Sequence, residues 1–211
     1  MRERTSQVLY AYWNEMRGFR IAPKRFEIEP SRIAAILPDT FILERLERKA
    51  YAFRLAGTRI CEIFARELRG TDIIGLWSID DREALIRILE SVCKEGAAGI
   101  VQFEGSDRNG RVATLELMFL PLLHTGNEIT RLLGSVACGE PPFWLGDEPL
   151  VSVRIRTFNL VWPDGRPHAV IARAAGQAPF VPEPAGSRVV KRERRNFRVY
   201  EGGRSSEPPA E

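Results

Sequence analysis

The sequence predicts an α+β domain: a five-stranded antiparallel sheet with helices on one face, an N-terminal helix before it and a β-rich C-terminal extension after it. Three observations predict this. The apolar period changes from helical to two at Phe41, where TFILERLE and then AYAFRLAG alternate. A long amphipathic run, DDREALIRILESVCKE, spans residues 80–95. Three alternating runs follow it, at residues 99–104, 112–122 and 130–138, joined by the turn-rich stretches SDRNGR and LHTGNE.

The first segment places Val8, Leu9, Tyr12, Trp13 and Met16 on one helical stripe, and Gly18 is placed to end the helix. GFRIAPKRFEIEP reads as irregular, and residues 31–37 as a short helix stopped by Pro38. In the first two strands, Phe41 and Leu43, then Tyr51, Phe53 and Leu55, share the core-facing parity, with a hairpin turn at Glu47, Arg48 and Lys49. Thr58 is expected to cap a helix carrying Ile60, Cys61 and Phe64, and a further helical stretch is expected around residues 71–77. The long helix has Asp80 and Glu83 at capping-box spacing, Gly96 beyond its end, and an apolar stripe of Ala84, Leu85, Ile88, Leu89, Val92 and Cys93. Val101, Phe103, Leu115, Leu117, Phe119, Leu133 and Ala137 are the core-facing residues expected of the last three strands.

Four of the 14 prolines precede residue 140 and ten follow it. This shift divides the chain into an N-terminal helical segment (1–38), a core domain (39–140), an extension (141–176) and a basic, Pro-rich tail (177–211) expected to be disordered. In LVSVRIRTFNLVW, Val151, Val153 and Ile155 share one parity while Phe158, Leu160 and Trp162 share the other. A bulge near Arg156 and Thr157 would keep them all on one face. PDGRP then reads as a turn and HAVIARAA as a returning strand, a hairpin that must dock on the domain or on a partner.

The chain has 211 residues, 44% hydrophobic and 28% charged, and a net charge of +3, which is ordinary for a soluble globular protein. Three cysteines without paired spacing argue against a disulfide framework or zinc knuckle and for a reducing, cytoplasmic setting. No apolar run approaches the length of a membrane span, and early charges interrupt any signal-peptide core.

Two longer stretches carry a resemblance. YWNEMRGFRIAPKRFEIEPSRIAAILPDTFILE (residues 12–44) and FRLAGTRICEIFARELRGTDIIGL (53–76) are similar to the signature of small stand-alone alphaproteobacterial PAS proteins, the PAS_5 family, and MFLPLL and RLLGSVA extend the match to about residues 8–138. The resemblance implies a PAS-like sheet and a sensory or protein-interaction module with no attached output domain. It implies no catalytic residues.

Within such a fold, Tyr51, Phe53, Leu55, Leu85, Leu89, Phe103, Leu117 and Phe119 would surround a small apolar pocket or simply fill a core. No cofactor is expected and no ligand is named by the sequence. The long helix has no histidine for haem, and GTDIIGLW has no cysteine for flavin photochemistry. Cys61 and Cys93 read as inert thiols. G-x-S-x-G, H-E-x-x-H and phosphate-cradling glycine loops are absent from the sequence, and Glu62 and Glu67, five apart, do not share a helix face well. Those glutamates are expected to pair with Arg59, Arg66 and Arg69, and Arg54 and Arg59 with N-terminal carboxylates such as Glu27 or Glu29, or with an anionic ligand.

The leading expectation is therefore a non-enzymatic cytoplasmic signalling module that binds a protein partner, with a homodimer formed through Tyr12, Trp13 and Met16. The alternative is an acidic-surface or nucleic-acid binder using KRERRNFR, whose Arg192, Arg194 and Arg195 would supply the charge. Nucleic acid is not the expected partner, since five cations in a tail more often keep it solvated. A small α+β enzyme ranks third.

Overall fold

The computed structural model describes residues 1–47, 49–124 and 128–165, together with the backbone of two short strands farther on. Residues Met1–Ala174 form one compact unit and Ala175–Glu211 a second. The described part of the second is Val189–Val190 paired antiparallel with Val199–Tyr200. HAVIARAA, Arg192, Arg194 and Arg195 lie outside the described residues.

The first unit begins with α1 (Arg4–Arg17), closed by Gly18 at φ 57°. Two 3-10 segments, Arg25–Glu27 and Pro30–Asp39, lead into β1 (Thr40–Glu47) and β2 (Ala50–Ala56). The expected helix at residues 31–37 is thus a longer 3-10 segment that holds Pro38 inside it. After α2 (Thr58–Ile63) and a 3-10 turn (Ile73–Leu76) come α3 (Ile79–Glu95), β3 (Ala98–Ser106), β4 (Val112–Leu123), β5 (Ile129–Ala137) and β6 (Ser152–Val161).

The sheet is antiparallel in the order β2-β1-β5-β4-β3-β6, so the five expected strands gain a sixth from the extension. The extension docks on its own domain. Its register with β3 shifts between Gln102 and Phe103, which pair with Thr157 and Ile155 and leave Arg156 as the bulged residue. Ile155 and Phe158 therefore both fall beside core-facing residues, Phe103 and Val101.

Phe41, Gly134, Phe119 and Gly99 form one cross-strand row. A side chain on Gly99 would meet Ile88 and Val92, so this face of the row lies under α3. Glu116, three residues before Phe119, points to the other face, and there its carboxylate accepts from the backbone N–H of Arg2 (2.8 Å) and Glu3 (3.3 Å) at the entry to α1. The central strands are thus covered on both sides, which is why β4 is buried continuously from Leu115 to Leu123.

Two parities differ from the sequence reading. Leu133 pairs with Leu120, not Phe119, and so lies with Ala137 on the α1 side; Leu132 and Val136 take the α3 side. Leu55 pairs with Ile42 while Phe53 pairs with Leu43, an extra residue at Arg54 having reversed the alternation. Leu55 is 52% exposed and Phe53 3%.

Two helix starts also differ. Gly57, not Thr58, is the N-cap of α2, and a side chain there would collide with the Leu37 and Pro38 carbonyls. Ser78, not Asp80, is the N-cap of α3, and its hydroxyl bonds Asp81 at 2.8 Å.

Candidate functional site

Between the sheet and α3, Tyr51, Phe53, Leu85, Leu89, Phe103, Leu117 and Phe119 are all buried. Phe41 meets both Phe53 (5.5 Å) and Phe119 (5.9 Å) edge to face, and Trp77 meets Phe103 at 5.3 Å. These rings fill one another's space as core residues do. The polar spot among them is Tyr51, whose hydroxyl is buried without a partner of ordinary hydrogen-bond geometry. Burial pushes its pKa up, and likewise that of the neighbouring Cys93 thiol on α3. A thiol held in that state is a poor nucleophile.

The interaction stripe on α1 is also spent internally. Trp13 is fully buried and donates its indole N–H to the Pro121 carbonyl at 2.8 Å; Tyr12 is buried, its hydroxyl accepting from the Glu29 N–H at 2.7 Å. Met16 is half-buried against the core. The homodimer expected through these three residues loses its surface, because the sheet already occupies it.

The charged side chains gather elsewhere. A cleft of about 280 Å³ opens between the start of α1, α2, the end of β5 and the loop after it. Arg59 reaches it from α2, its Nη1 on both carboxylate oxygens of Asp39 at 2.7 and 2.6 Å. Asp39 is nearly buried while Arg59 is largely exposed, so the carboxylate fixes one edge of the guanidinium and leaves the rest free. Glu62 and Glu3 line the same cleft beside Ile63, Val136 and Leu145.

The expected pairings change accordingly. Arg59 takes Asp39, not Glu62 or Glu67 or an N-terminal glutamate. Arg54 takes Glu44 at 3.4 Å, which also receives Arg131 at 3.2 Å. Glu27 belongs to Arg20, whose hydrogen bond holds its carboxyl below the usual range, and Glu67 accepts from the Arg69 backbone N–H. Sequence reasoning missed Asp39 and Glu116. Nothing local marks either one, since each acquires its role from a partner 20 or 114 residues away.

All three cysteines are free, and among the described residues no group of His, Cys, Asp and Glu is arranged to hold a metal ion. No helix among them is long and apolar enough to cross a membrane.

The sequence pattern of the PAS_5 family, described as a PAS domain, matches residues 1–137. The chain belongs to that PAS family. Solved structures similar to this PAS domain include the PAS domain of a protein from Colwellia psychrerythraea (13% identity, 51% of this chain and 93% of that one, TM-score 0.40). Others are a sensory box histidine kinase/response regulator from Burkholderia thailandensis E264 (15%, 52% and 84%, TM-score 0.37) and the PAS domain of an HTR-like protein from Haloarcula marismortui (18%, 54% and 94%, TM-score 0.37). No curated protein matches the chain. PAS membership places it among sensory and signalling modules. The matched span ends at β5, so β6 and its contacts lie beyond the family pattern.

Proposed function

We propose that this PAS domain is a non-catalytic cytoplasmic signalling module that acts by binding a protein partner, and that β6 carries its conformational state outward. The observation behind this reading is the way β6 is attached. Ile155 N–H donates to Asp81 at the first turn of α3 (3.0 Å), and the Trp162 indole donates to Glu95 at its last residue (3.2 Å). Asp164 then pairs with Arg17 of α1 at 2.8 Å. A shift of α3 would therefore be felt along the whole strand and at the N-terminal helix. An apolar ligand under α3 would have to part the Phe41, Phe53 and Phe119 rings, so partner binding is the stronger half of the proposal.

The test is capture of partners by the full chain, followed by titration of the purified partner against wild type and Asp81→Ala. A partner whose affinity drops about tenfold or more in the variant, roughly the range of allosteric couplings, supports the reading. Unchanged affinity removes the role of β6, and turnover of a substrate by the purified chain overturns the non-catalytic assignment.

A further inference from the structure

The cleft beside Arg59 lies outside the space between sheet and α3, and its chemistry is not absorbed by the signalling role. We infer that it binds a free amino acid with a branched apolar side chain, recognised as a zwitterion.

Three features of the lining lead there. The first is a pre-set anion receptor. Asp39 takes only Nη1 of Arg59, and Nε and Nη2 have no partner among the described residues. A planar guanidinium with two N–H edges unspent suits a carboxylate. The second is unspent negative charge on the same walls. Glu62, exposed on α2, has no side-chain partner among the described residues. Glu3 brings its carboxylate against Gly139, where any side chain would displace it: a Cβ there would stand 2.7 Å from Oε2. Carboxylates and guanidinium groups on the lining of one cleft, Glu3 and Glu62 with Arg59 and Arg4, favour a ligand carrying both charges over one carrying either alone.

The third feature is size and apolarity. Ile63, Val136 and Leu145 provide an apolar wall. The cleft, about 280 Å³, is large enough to take a free amino acid of leucine's size. A peptide would separate its two terminal charges beyond the reach of one small cleft.

Gly57 explains why the receptor is placed here. It brings the start of α2 against the Leu37 and Pro38 carbonyls, and its N–H donates to Thr40 at 2.8 Å, setting Arg59 over Asp39. The pairing depends on the fold and not on nearness in sequence.

The inference leans on the sensory reading only for its biological use, and binding is measurable without any partner. The experiment is calorimetric titration of the full chain with L-leucine, isovalerate (carboxylate only) and isoamylamine (ammonium only), each to about 10 mM. Leucine binding at least tenfold tighter than either analogue supports the inference. Because Arg59→Gln also strips the nearly buried Asp39 of its partner, Glu62→Gln is the deciding variant. It should weaken leucine about tenfold, the scale of one lost charge-assisted contact, and leave isovalerate unchanged. No leucine heat, equal affinity for leucine and isovalerate, or an indifferent Glu62→Gln each overturns it. Partner titration with and without leucine separates the two readings: leucine binding without effect on the partner leaves the site standing and removes its link to signalling.

Discussion

The guanidinium of Arg17, at the last turn of α1, lies on the carboxylate of Asp164, with Nη2 to Oδ1 at 2.8 Å and Nη1 to Oδ2 at 3.3 Å across 147 residues of sequence. The same Nη1 donates to the Arg20 carbonyl at 2.8 Å, Nε donates to Asn14, and the group stacks over Trp13. Arg17 is buried and Asp164 is mostly exposed, so the two ends of the pair differ in energetic weight. Asp164→Ala should cost about 1 kcal/mol or less, as for a half-exposed pair. Arg17→Ala should cost about 2–3 kcal/mol, because the buried guanidinium donates to Asn14, Arg20 and Asp164 at once and its stem packs on Trp13. Thermal denaturation of the two variants checks the asymmetry.

Asp81 joins the start of α3 to β6 through Ser78 Oγ (2.8 Å) and Ile155 N–H (3.0 Å). Asp81→Ala should lower stability by about 1–2 kcal/mol, because both of these hydrogen bonds lose their charged acceptor. Amide exchange should also speed up along β6 more than along β4, which α1 and α3 cover from both sides. Equal protection in both strands would refute the idea that Asp81 anchors β6.

Trp13 and Val8 occupy opposite faces of α1, the first fully buried and the second 41% exposed. Trp13→Ala is expected to cost about 3–5 kcal/mol, whereas Val8→Asp should stay within about 0.5 kcal/mol. If native mass shows a dimer that Val8→Asp disperses without loss of melting temperature, the outer face of α1, not its Trp13 stripe, is the contact.

The reversal of parity in β2 gives a direct comparison. Phe53→Ala should cost about 3–5 kcal/mol and Leu55→Asp almost nothing. In the same layer, a methyl on Gly134 would meet the Phe41 ring and the Met118 carbonyl, and Gly134→Ala should cost about 1–3 kcal/mol through overpacking. Urea midpoints of the three variants rank them.

Alkaline pH should loosen the core. An unfolded cysteine thiol ionises near pH ~8.5 and a tyrosine near ~10, but burial raises both groups at Cys93 and Tyr51. Above those unfolded values the unfolded chain holds fewer protons than the native one, so stability falls as pH rises. It is fully present below about pH 8. Melting curves from pH 7 to 10.5 should show this decline, and Cys93→Ala should flatten its first part.

Much of this fold was legible in local patterns. The ends of α1, α3 and the three later strands follow from periodicity and from Gly18 and Gly96, whose positive φ closes each helix. The Arg156 bulge was legible too, because Val153, Ile155, Phe158 and Leu160 could share a face in no other way. Leu133 was not, since β5 is buried on both faces from Leu132 to Ala137 and alternation carries little information where apolar neighbours such as Leu132 and Leu133 face opposite ways. Arg54 hid its bulge for a different reason: a charged residue at an outward position looks the same whether or not the strand slips beside it. The cleft was half legible, in the gathering of Arg59 and Glu62 after the break at Gly57.

What the sequence by itself determined is the list of elements and the family, because turn chemistry and side-chain period act over a few residues and leave their mark there. Only the tertiary structure decided which partner each charge found. Arg59 had several carboxylates within a few residues and took Asp39, and Glu116, on an alternating strand, became the anchor of α1. Burial strengthens a pair by excluding water, and which pairs are buried depends on how separate elements pack, a quantity no short stretch of chain contains.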